Sequence, residues 1–291
     1  MTLRSRAVPR AALGDGDVTV VSMLDVVLWP GASTLWGIDV SNHHDTTTTL
    51  INGWSVHHVP TTGSTNDDLA AMYRDGVRGR HVVVADHQRA GRGRRGREWA
   101  ATAGDNLLMS VLIDPAPDPV HAAVWRAGLA IVAAARITPG APVCTLKWPN
   151  DVVTDGDEKV AGILSTVAVG SDASTAVVVG CGVNIGWAPD GAARIGRGVD
   201  ATSAEAVWGF LGKVLAAMDT FVDADLHGLY RAELATLGRR VRVDIAAGNS
   251  SGHIDGRAVG IDAAGRLEVL DDCAVTHRID VGDVIHLRPQ G

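Results

Sequence analysis

VCTLKWPNDVVTDGDEKVAGIL, residues 143–164, is the stretch from which the fold can be worked out. Apolar runs at 143–147 and 152–153 flank a Trp148-Pro149-Asn150 corner. Asp155-Gly156 is typical of a hairpin-like turn, and the apolar run at 160–167 follows it. The stretch therefore predicts successive short strands joined by tight turns.

Similar periodicity extends on both sides of this stretch. Trp54, Val56 and His58 alternate as in a strand, and residues 64–67 supply N-cap candidates before an apolar stripe at helical spacing. Further strands are predicted at 81–86 and 176–183, and an Ala-rich helix at 120–136. Together these segments predict a mixed α/β domain.

The pattern changes towards both ends of the chain. Thr202 and Glu205 have the spacing of a capping box, which predicts one long helix to about residue 237. After Arg239, short alternating strands with Gly turns predict a small terminal β-barrel. The predicted organisation is an irregular extension at 1–53, the main domain at 54–237 and the barrel at 238–291.

Composition narrows the class of protein. The net charge of -7, from 26 Lys plus Arg against 33 Asp plus Glu, argues against a surface that grips nucleic acid along its whole length. The best candidate for a membrane span, residues 18–29, is shorter than the roughly 18 apolar residues needed to cross a bilayer and is interrupted by Ser22 and Asp25. The three cysteines form no C-x-x-C pair, and the histidines form no zinc-ligand pattern, so reduced thiols in a cytoplasm and no zinc are expected.

A local cluster of positive charge stands out in this acidic chain. Residues 88–99 read QRAGRGRRGREW, with five arginines in nine positions between three glycines. Glycine lets backbone N–H groups approach oxygens closely, and arginine brings a permanent charge with a forked set of donors. This Gly-Arg segment, within residues 88–99, is therefore predicted to bind a phosphate or a carboxylate.

Two other interpretations of this segment remain open from the residues alone. Residues 91–96 satisfy G-x-G-x-x-G after a predicted strand, but a dinucleotide-binding turn should open a helix, and residues 99–106 carry no amphipathic stripe. A solvated or RNA-binding basic loop is the default for an arginine run.

Five ordered motifs resolve the choice by resemblance. They are Ser64-Thr65-Asn66, Gln88 with the Gly-Arg segment, Lys147-Trp148-Pro149-Asn150-Asp151, the run Lys159-Val160-Ala161-Gly162-Ile163-Leu164, and Gly180-Cys181-Gly182-Val183-Asn184. In this order and spacing they resemble the biotin protein ligase family, from about residue 54 to the end. The resemblance implies an α/β (α+β) fold, with a mixed-sheet catalytic domain of the class II aminoacyl-tRNA synthetase and biotin ligase type and a small C-terminal SH3-like β-barrel.

The resemblance also implies a reaction and its participants. Biotin would be activated by ATP as an acyl-adenylate, with Mg²⁺, and passed to one lysine of a biotin carboxyl carrier domain of a carboxylase. Because biotin's carboxylate and the α-phosphate are both anions, cations must neutralise them before they can meet. By similarity Lys159 and Arg94 are the catalytic residues, and the Gly-Arg segment would close over the intermediate.

The remaining site residues follow from the matched motifs. The biotin-binding set implied by the resemblance is Ser64, Thr65, Asn66, Gln88, Arg92, Gly93, Arg94, Lys159 and Gly162. The ATP-binding set is Arg92, Arg94, Arg95, Trp99, Lys147, Asn150, Lys159 and Asn184, with Asp151 as a magnesium ligand. Other roles stay open: Ser64 and Thr65 are also suited to cap a helix, and Trp148-Pro149 to form a core corner.

The sequence also bears on binding partners, location and alternative functions. Residues 1–53 lack paired helical patterns joined by a tight turn, so a ligase without DNA binding is expected. The enzyme is also expected to be cytoplasmic, to act away from membranes, and to be a monomer or a homodimer. The nearest enzymatic rival is a lipoate ligase, whose usual Gly-rich stretch bearing His and Asp is absent here. The rival from another class is a non-catalytic nucleic-acid binder that uses the arginines.

Overall fold

The computed structural model describes residues 46–196, 202–247, 250–280 and 283–286. The strands are β1 Thr47–Ile51, β2 Trp54–Thr62, β3 His81–Gln88, β4 Leu107–Ile113, β5 Cys144–Lys147, β6 Asp151–Thr154, β7 Lys159–Val169, β8 Thr175–Val183, β9 Arg240–Ala247, β10 Ser250–Ile261, β11 Leu267–Leu270, β12 Thr276–Ile279 and β13 Asp283–His286. The helices are α1 Thr65–Arg74, α2 Ala122–Arg136, α3 Ser203–Thr220 and α4 Leu226–Glu233. None of these helices is long and apolar enough to span a membrane.

The first eight strands form one mixed sheet in the order β1-β2-β3-β4-β8-β7-β6-β5. Strands β2 and β3 are parallel, and α1 makes the crossover between them that parallel pairing requires. The other neighbours in this sheet are antiparallel. The predicted mixed α/β class is confirmed.

Helices cover both faces of this sheet. Val82 and Val84 of β3 belong to the main core with α2 and α3, whereas Val83 belongs to a second core with Leu69 and Tyr73 of α1. This alternation is the period of two that a strand imposes on its side chains. The N-terminus of α1 is thus fixed against the centre of the sheet.

Strand β4 lies in the middle of the sheet and was not predicted from the sequence. All seven of its residues are buried, including the polar Ser110. A strand that is covered on both faces shows a continuous apolar run instead of alternation, so periodicity gives no signal for it.

Two other expectations need correction. The helix predicted from Thr202 to about residue 237 is two helices, because α3 ends at Thr220 and Asp225 caps α4 by accepting a hydrogen bond from the Gly228 N–H. The Thr202 and Glu205 capping box is present as predicted. Within the extension at 1–53, residues Thr47–Ile51 form the edge strand β1 instead of irregular chain, and residues 1–45 lie outside the described part.

The C-terminal strands form a five-stranded antiparallel sheet in the order β12-β11-β10-β9-β13. It contacts the Trp148-Pro149 corner, where Trp148 Nε1 donates to the Gly265 carbonyl over 2.9 Å. A β-rich terminal unit was predicted, and its closure into an SH3-like barrel stays a prediction, as do the domain boundaries.

Candidate functional site

A cavity of about 270 Å³ lies where the N-terminus of α1, the Gly-Arg segment and the first residues of β7 meet. Its volume is near the lower end for small-molecule sites, which are roughly 300–1,000 Å³. Most of the site residues predicted from sequence line it: Ser64, Thr65, Asn66, Gln88, Arg92, Gly93, Arg94, Trp99, Asn150, Asp151, Lys159, Gly162 and Asn184. Side chains from separate stretches therefore converge on one concave site.

The Gly-Arg segment forms a hairpin over one side of this cavity. The Trp99 N–H donates to the Gly91 carbonyl over 3.0 Å, and the Gly93 N–H donates to the Arg97 carbonyl over 2.6 Å. Between them, residues Arg94–Gly96 make one 3₁₀ turn, with Arg95 at a left-handed φ of 57°. No α-helix begins here, so the geometry of a dinucleotide-binding turn is missing.

The arginines of this hairpin have different partners. Arg92 pairs with Asp67 of α1, and Arg94 Nη1 donates to Asn150 Oδ1 over 3.3 Å. Arg95 Nη2 donates to the Asp244 carbonyl of β9 over 3.3 Å. Arg95 is outside the lining of the cavity, and its predicted contact with ATP stays a prediction.

Lys159 lines the cavity, where its ammonium pairs with a carboxylate and its backbone carbonyl accepts a side-chain hydrogen bond. Its Nζ lies 2.7 Å from Asp151 Oδ1, and its side chain is 40% exposed. Asn184 Nδ2 donates to the Lys159 carbonyl over 3.3 Å and to the Ala193 carbonyl over 2.9 Å. Asn184 thus fixes the backbone from which the lysine reaches the cavity.

Lys147 has a different environment from the one predicted. Its Nζ lies 3.0 Å from Asp157 Oδ2, and the other oxygen of that carboxylate is 3.0 Å from His286 Nδ1 of β13. Burial lowers the pKa of His286 to about 4. Lys147 does not line the cavity, so its predicted role in ATP binding stays a prediction without geometric support.

Trp99 packs against glycines of the sheet. A Cβ built on Gly162 would lie 2.8 Å from Trp99 Cζ3, and one on Gly182 would overlap the indole at Cε2. The Lys159 ammonium is 5.4 Å from the centre of the indole ring, within cation–π range. The two glycines therefore make room for the aromatic wall of the cavity.

The other end of the cavity is a buried polar cluster around the start of α1. Gln88 Oε1 accepts from the Thr65 N–H over 2.8 Å and from Thr65 Oγ1 over 3.1 Å. Ser64 occupies the N-cap position without a side-chain capping bond, so Gln88 takes that role. The helix-capping role considered for Ser64 is therefore absent, and its hydroxyl lines the cavity.

Several lining or supporting residues were missed from the sequence. Ser110 supports the polar cluster from β4, and Asn106 Oδ1 accepts from the Ile185 N–H over 3.0 Å in the loop after β8. Pro189 and Ala192 of that loop also line the cavity. The one available signal was a polar serine inside an apolar run, which a recognised β4 would have placed beside α1.

The fit to a magnesium ion is partial. Within the described ranges, no group of three or more His, Cys, Asp or Glu is placed to hold a metal. Asp151 lines the cavity, and Asn184 Oδ1 is buried without a hydrogen-bond partner. Because Mg²⁺ commonly uses one or two carboxylates together with nucleotide phosphates, these oxygens suit an ion that arrives with a nucleotide.

Comparison with family models gives two matches. The model of the biotin/lipoate A/B protein ligase family matches residues 60–184, and the model of the biotin protein ligase C-terminal domain matches residues 236–287. The first range contains all five motifs that line or flank the cavity, and the second contains all five strands of the C-terminal sheet.

Individual relatives agree with the family models. A biotin–[acetyl-CoA-carboxylase] ligase of Mycobacterium tuberculosis is 39% identical over 256 residues, which cover 81% of this chain and 91% of that protein. One of Paracoccus denitrificans is 34% identical, covering 71% and 90%. A solved biotin protein ligase of Aquifex aeolicus, in complex with biotin and ATP, superposes with a TM-score of 0.61 at 26% identity, covering 80% of this chain and 98% of that one.

Proposed function

The chain belongs to the biotin/lipoate A/B protein ligase family, and we propose that within it the chain is a biotin–[acetyl-CoA-carboxylase] ligase. One oxygen of the biotin carboxylate attacks the α-phosphorus of ATP, and pyrophosphate leaves. The amine of an acceptor lysine then attacks the acyl carbon of the biotinoyl adenylate, loses a proton, and AMP leaves. The acceptor is a biotin carboxyl carrier domain.

The convergence of Lys159 and Arg94 on one cavity carries this proposal. Their charges offset the repulsion between a carboxylate and a phosphate, and they are placed before the reaction begins. Asp151 orients Lys159 through its 2.7 Å pair, and Asn150 accepts from Arg94. When bound, Mg²⁺ neutralises phosphate charge, and we assign Asp151 as the carboxylate on this chain that holds it.

The polar end of the cavity supports biotin over lipoate as the substrate. Biotin's ureido ring offers two N–H donors and a carbonyl acceptor, whereas the dithiolane ring of lipoate has no strong hydrogen-bonding group. Ser64, Thr65 and Gln88 supply such partners at this end of the cavity. A site built of hydrogen-bonding groups discriminates strongly against a ligand that leaves them unpaired.

We place the reaction in the cytoplasm, away from membranes and nucleic acid, with the enzyme as a monomer or homodimer. The free thiols of Cys144, Cys181 and Cys273 support a reducing compartment. The hairpin arginines have partners on α1, on Asn150 and on β9, which supports a role inside the protein's own site.

The proposal is tested with isotope exchange between pyrophosphate and ATP. We expect exchange that depends on biotin, with lipoate at least about 100-fold less effective. Addition of a carrier domain should give one biotinylated lysine. Exchange driven equally by lipoate would contradict the substrate, and absence of exchange together with salt-sensitive nucleic-acid binding would favour the non-catalytic alternative.

A further inference from the structure

Ser110 is a buried polar residue inside an apolar strand. It lies in the middle of β4 with no exposed surface, among the residues Leu107–Ile113, of which it is the one with a hydroxyl. Its Oγ lies 2.7 Å from Thr65 Oγ1 and 2.6 Å from Asn66 Oδ1. A buried hydroxyl costs stability unless it is hydrogen-bonded, so these two contacts explain how the strand tolerates it.

The neighbours of Thr65 fix the direction of its hydrogen bonds. Thr65 Oγ1 donates to Gln88 Oε1, which also accepts the Thr65 N–H. The Thr65 oxygen therefore accepts from Ser110. If the Gln88 amide were turned round, its NH₂ group would face the Thr65 N–H, which can only donate, so its carbonyl must point at α1 and its NH₂ away from it.

The same reasoning applies to Asn66. Its Nδ2 donates to the Leu164 carbonyl over 3.1 Å, and the reversed amide would set two oxygens against each other. Asn66 Oδ1 therefore faces the Ser110 hydroxyl and shares that proton with Thr65. A Cβ on Gly180 would overlap the Asn66 amide, so Asn66 is also confined from the side of β8.

Resting on the proposed function, we propose that Ser110 is a positioning residue for recognition of the ring carbonyl of biotin. It stands behind Thr65 and Asn66 and is absent from the lining of the cavity. By holding the Asn66 amide directly and the Gln88 amide through Thr65, it leaves the Gln88 NH₂ group and the second N–H of Asn66, whose first N–H donates to Leu164, to serve a ligand at the polar end. Donors in that place select a ligand whose ring carries an acceptor oxygen.

The test compares Ser110→Ala with the parent chain in biotin-dependent pyrophosphate exchange. The variant leaves two buried oxygens without their donor, so we expect the KM for biotin to rise roughly tenfold. The kcat and the KM for ATP should change little, because Lys159 and Arg94 keep their partners. A KM for biotin within twofold of the parent value would overturn the proposal.

A second readout separates positioning from simple structural support. In 2-iminobiotin an imine N–H replaces the carbonyl oxygen of the ureido ring, so the parent chain should prefer biotin, and Ser110→Ala should lose most of that preference. Partial misfolding lowers the amount of active enzyme but leaves a ratio of KM values unchanged. An unchanged ratio contradicts the proposal, whatever the melting temperature of the variant.

Two further variants complete the design. Ser174→Ala removes a hydroxyl 2.8 Å from Tyr73 Oη, at the other end of α1, and should leave both KM values unchanged. Ser110→Cys keeps a weak donor of similar shape and should fall between the parent and Ser110→Ala; if Ser110→Ala does not fold, the KM ratio of Ser110→Cys decides the question. If the parent chain itself shows no biotin-dependent exchange, the proposed function fails, which is a different outcome.

Discussion

Two lysines flank the Trp148-Pro149 corner, and their carboxylate partners separate their roles. Lys159 pairs with Asp151 at the cavity, whereas Lys147 pairs with Asp157 beside His286 of the C-terminal sheet. Both lysines belong to sequence motifs of the family, and both were predicted to bind ATP. We therefore propose that Lys159 acts on the ligand, whereas Lys147 supports Asp157, which in turn pairs with His286 of the C-terminal sheet.

A pair of matched substitutions tests this division. Lys159→Met removes the charge next to the reacting anions, so biotin-dependent pyrophosphate exchange should fall at least about 100-fold. Lys147→Met should keep kcat within a few-fold of the parent value and lower the melting temperature, because Asp157 loses its cation. If Lys147→Met abolishes exchange at an unchanged melting temperature, Lys147 contacts ATP as the sequence suggests.

Arg94 is a second residue whose role can be tested by substitution. Its bond to Asn150 ties the hairpin to the corner, so Arg94→Gly should loosen the cover over the adenylate. Activated biotin would then escape and label lysines of an unrelated protein in the same tube. Mass spectrometry of that protein measures the escape, with a reaction lacking ATP as the blank; strictly specific labelling of the carrier would count against a covering role.

Among the strands, Gly162 of β7 and Gly182 of β8 leave the space in which Trp99 packs against the sheet. Gly182→Ala would drive a methyl group into the indole, so the variant should be destabilised by about 1–3 kcal/mol and bind biotin more weakly. Gly209→Ala is the matched control, since Gly209 lies at an exposed position of α3 with nothing near its Cβ position, and the variant should be neutral or stabilising. Chemical denaturation and biotin titration of both variants measure the difference.

The elements also show which signals the sequence contains. Strands at 54–58, 81–86 and 176–183 were predicted from alternation or apolar runs bounded by turns, and the structure confirms them. Strand β4 has no alternation, and the break after Thr220 depends on capping by Asp225, a local hydrogen bond that an apolar helical pattern does not reveal. Edge strand β1 begins with three threonines, and its pairing with β2 decides its conformation.

In the candidate site, too, local sequence patterns could be interpreted, whereas contacts between distant elements could not be predicted. Motif residues identified the cavity because the reaction dictates their types, so lysine, arginine and small polar residues could be named before any coordinates. Ser110 could not be named, because its role depends on where β4 passes behind α1. Lys147 pairs with Asp157 beside His286 of the C-terminal sheet and does not line the cavity. No local sequence pattern encodes the position of that sheet.

For the whole molecule, the C-terminal sheet buttresses the corner that carries Asn150 and Asp151. Trp148 is buried between the two sheets, with its Nε1 bonded to Gly265 and its backbone N–H donating to Thr236 Oγ1 over 3.0 Å. Asp157, Lys147 and Arg239 surround His286 at the same junction. The geometry of the cavity therefore depends on how well this junction is held.

This junction should make stability depend on pH. Burial lowers the folded-state pKa of His286 to about 4 from 6.5, so the unfolded chain binds more protons between these values. The contribution of His286 is complete above pH 6.5 and is lost as the pH falls towards 4. The melting temperature of the parent chain should fall across this range, and His286→Gln should show a shallower fall; an identical slope would exclude His286 as a source.

Other histidines act in the same direction, so the variant removes only one share of the effect. Burial lowers the pKa values of His57, His81 and His121 as well. Measuring exchange activity at pH 5 and pH 7 in parent and variant tells whether the junction also controls the cavity. Activity that falls together with the melting temperature would indicate that the cavity is lost when this junction is lost.

The position of Trp99 has a practical consequence for optical measurements. An indole that lies on glycine backbone beside an ammonium group should change its emission when a carboxylate or a phosphate displaces that ammonium. The chain has 8 tryptophans, so the signal is the difference between the parent chain and Trp99→Phe. Stopped-flow fluorescence could then time the arrival of the vitamin and of the nucleotide separately, without any attached dye.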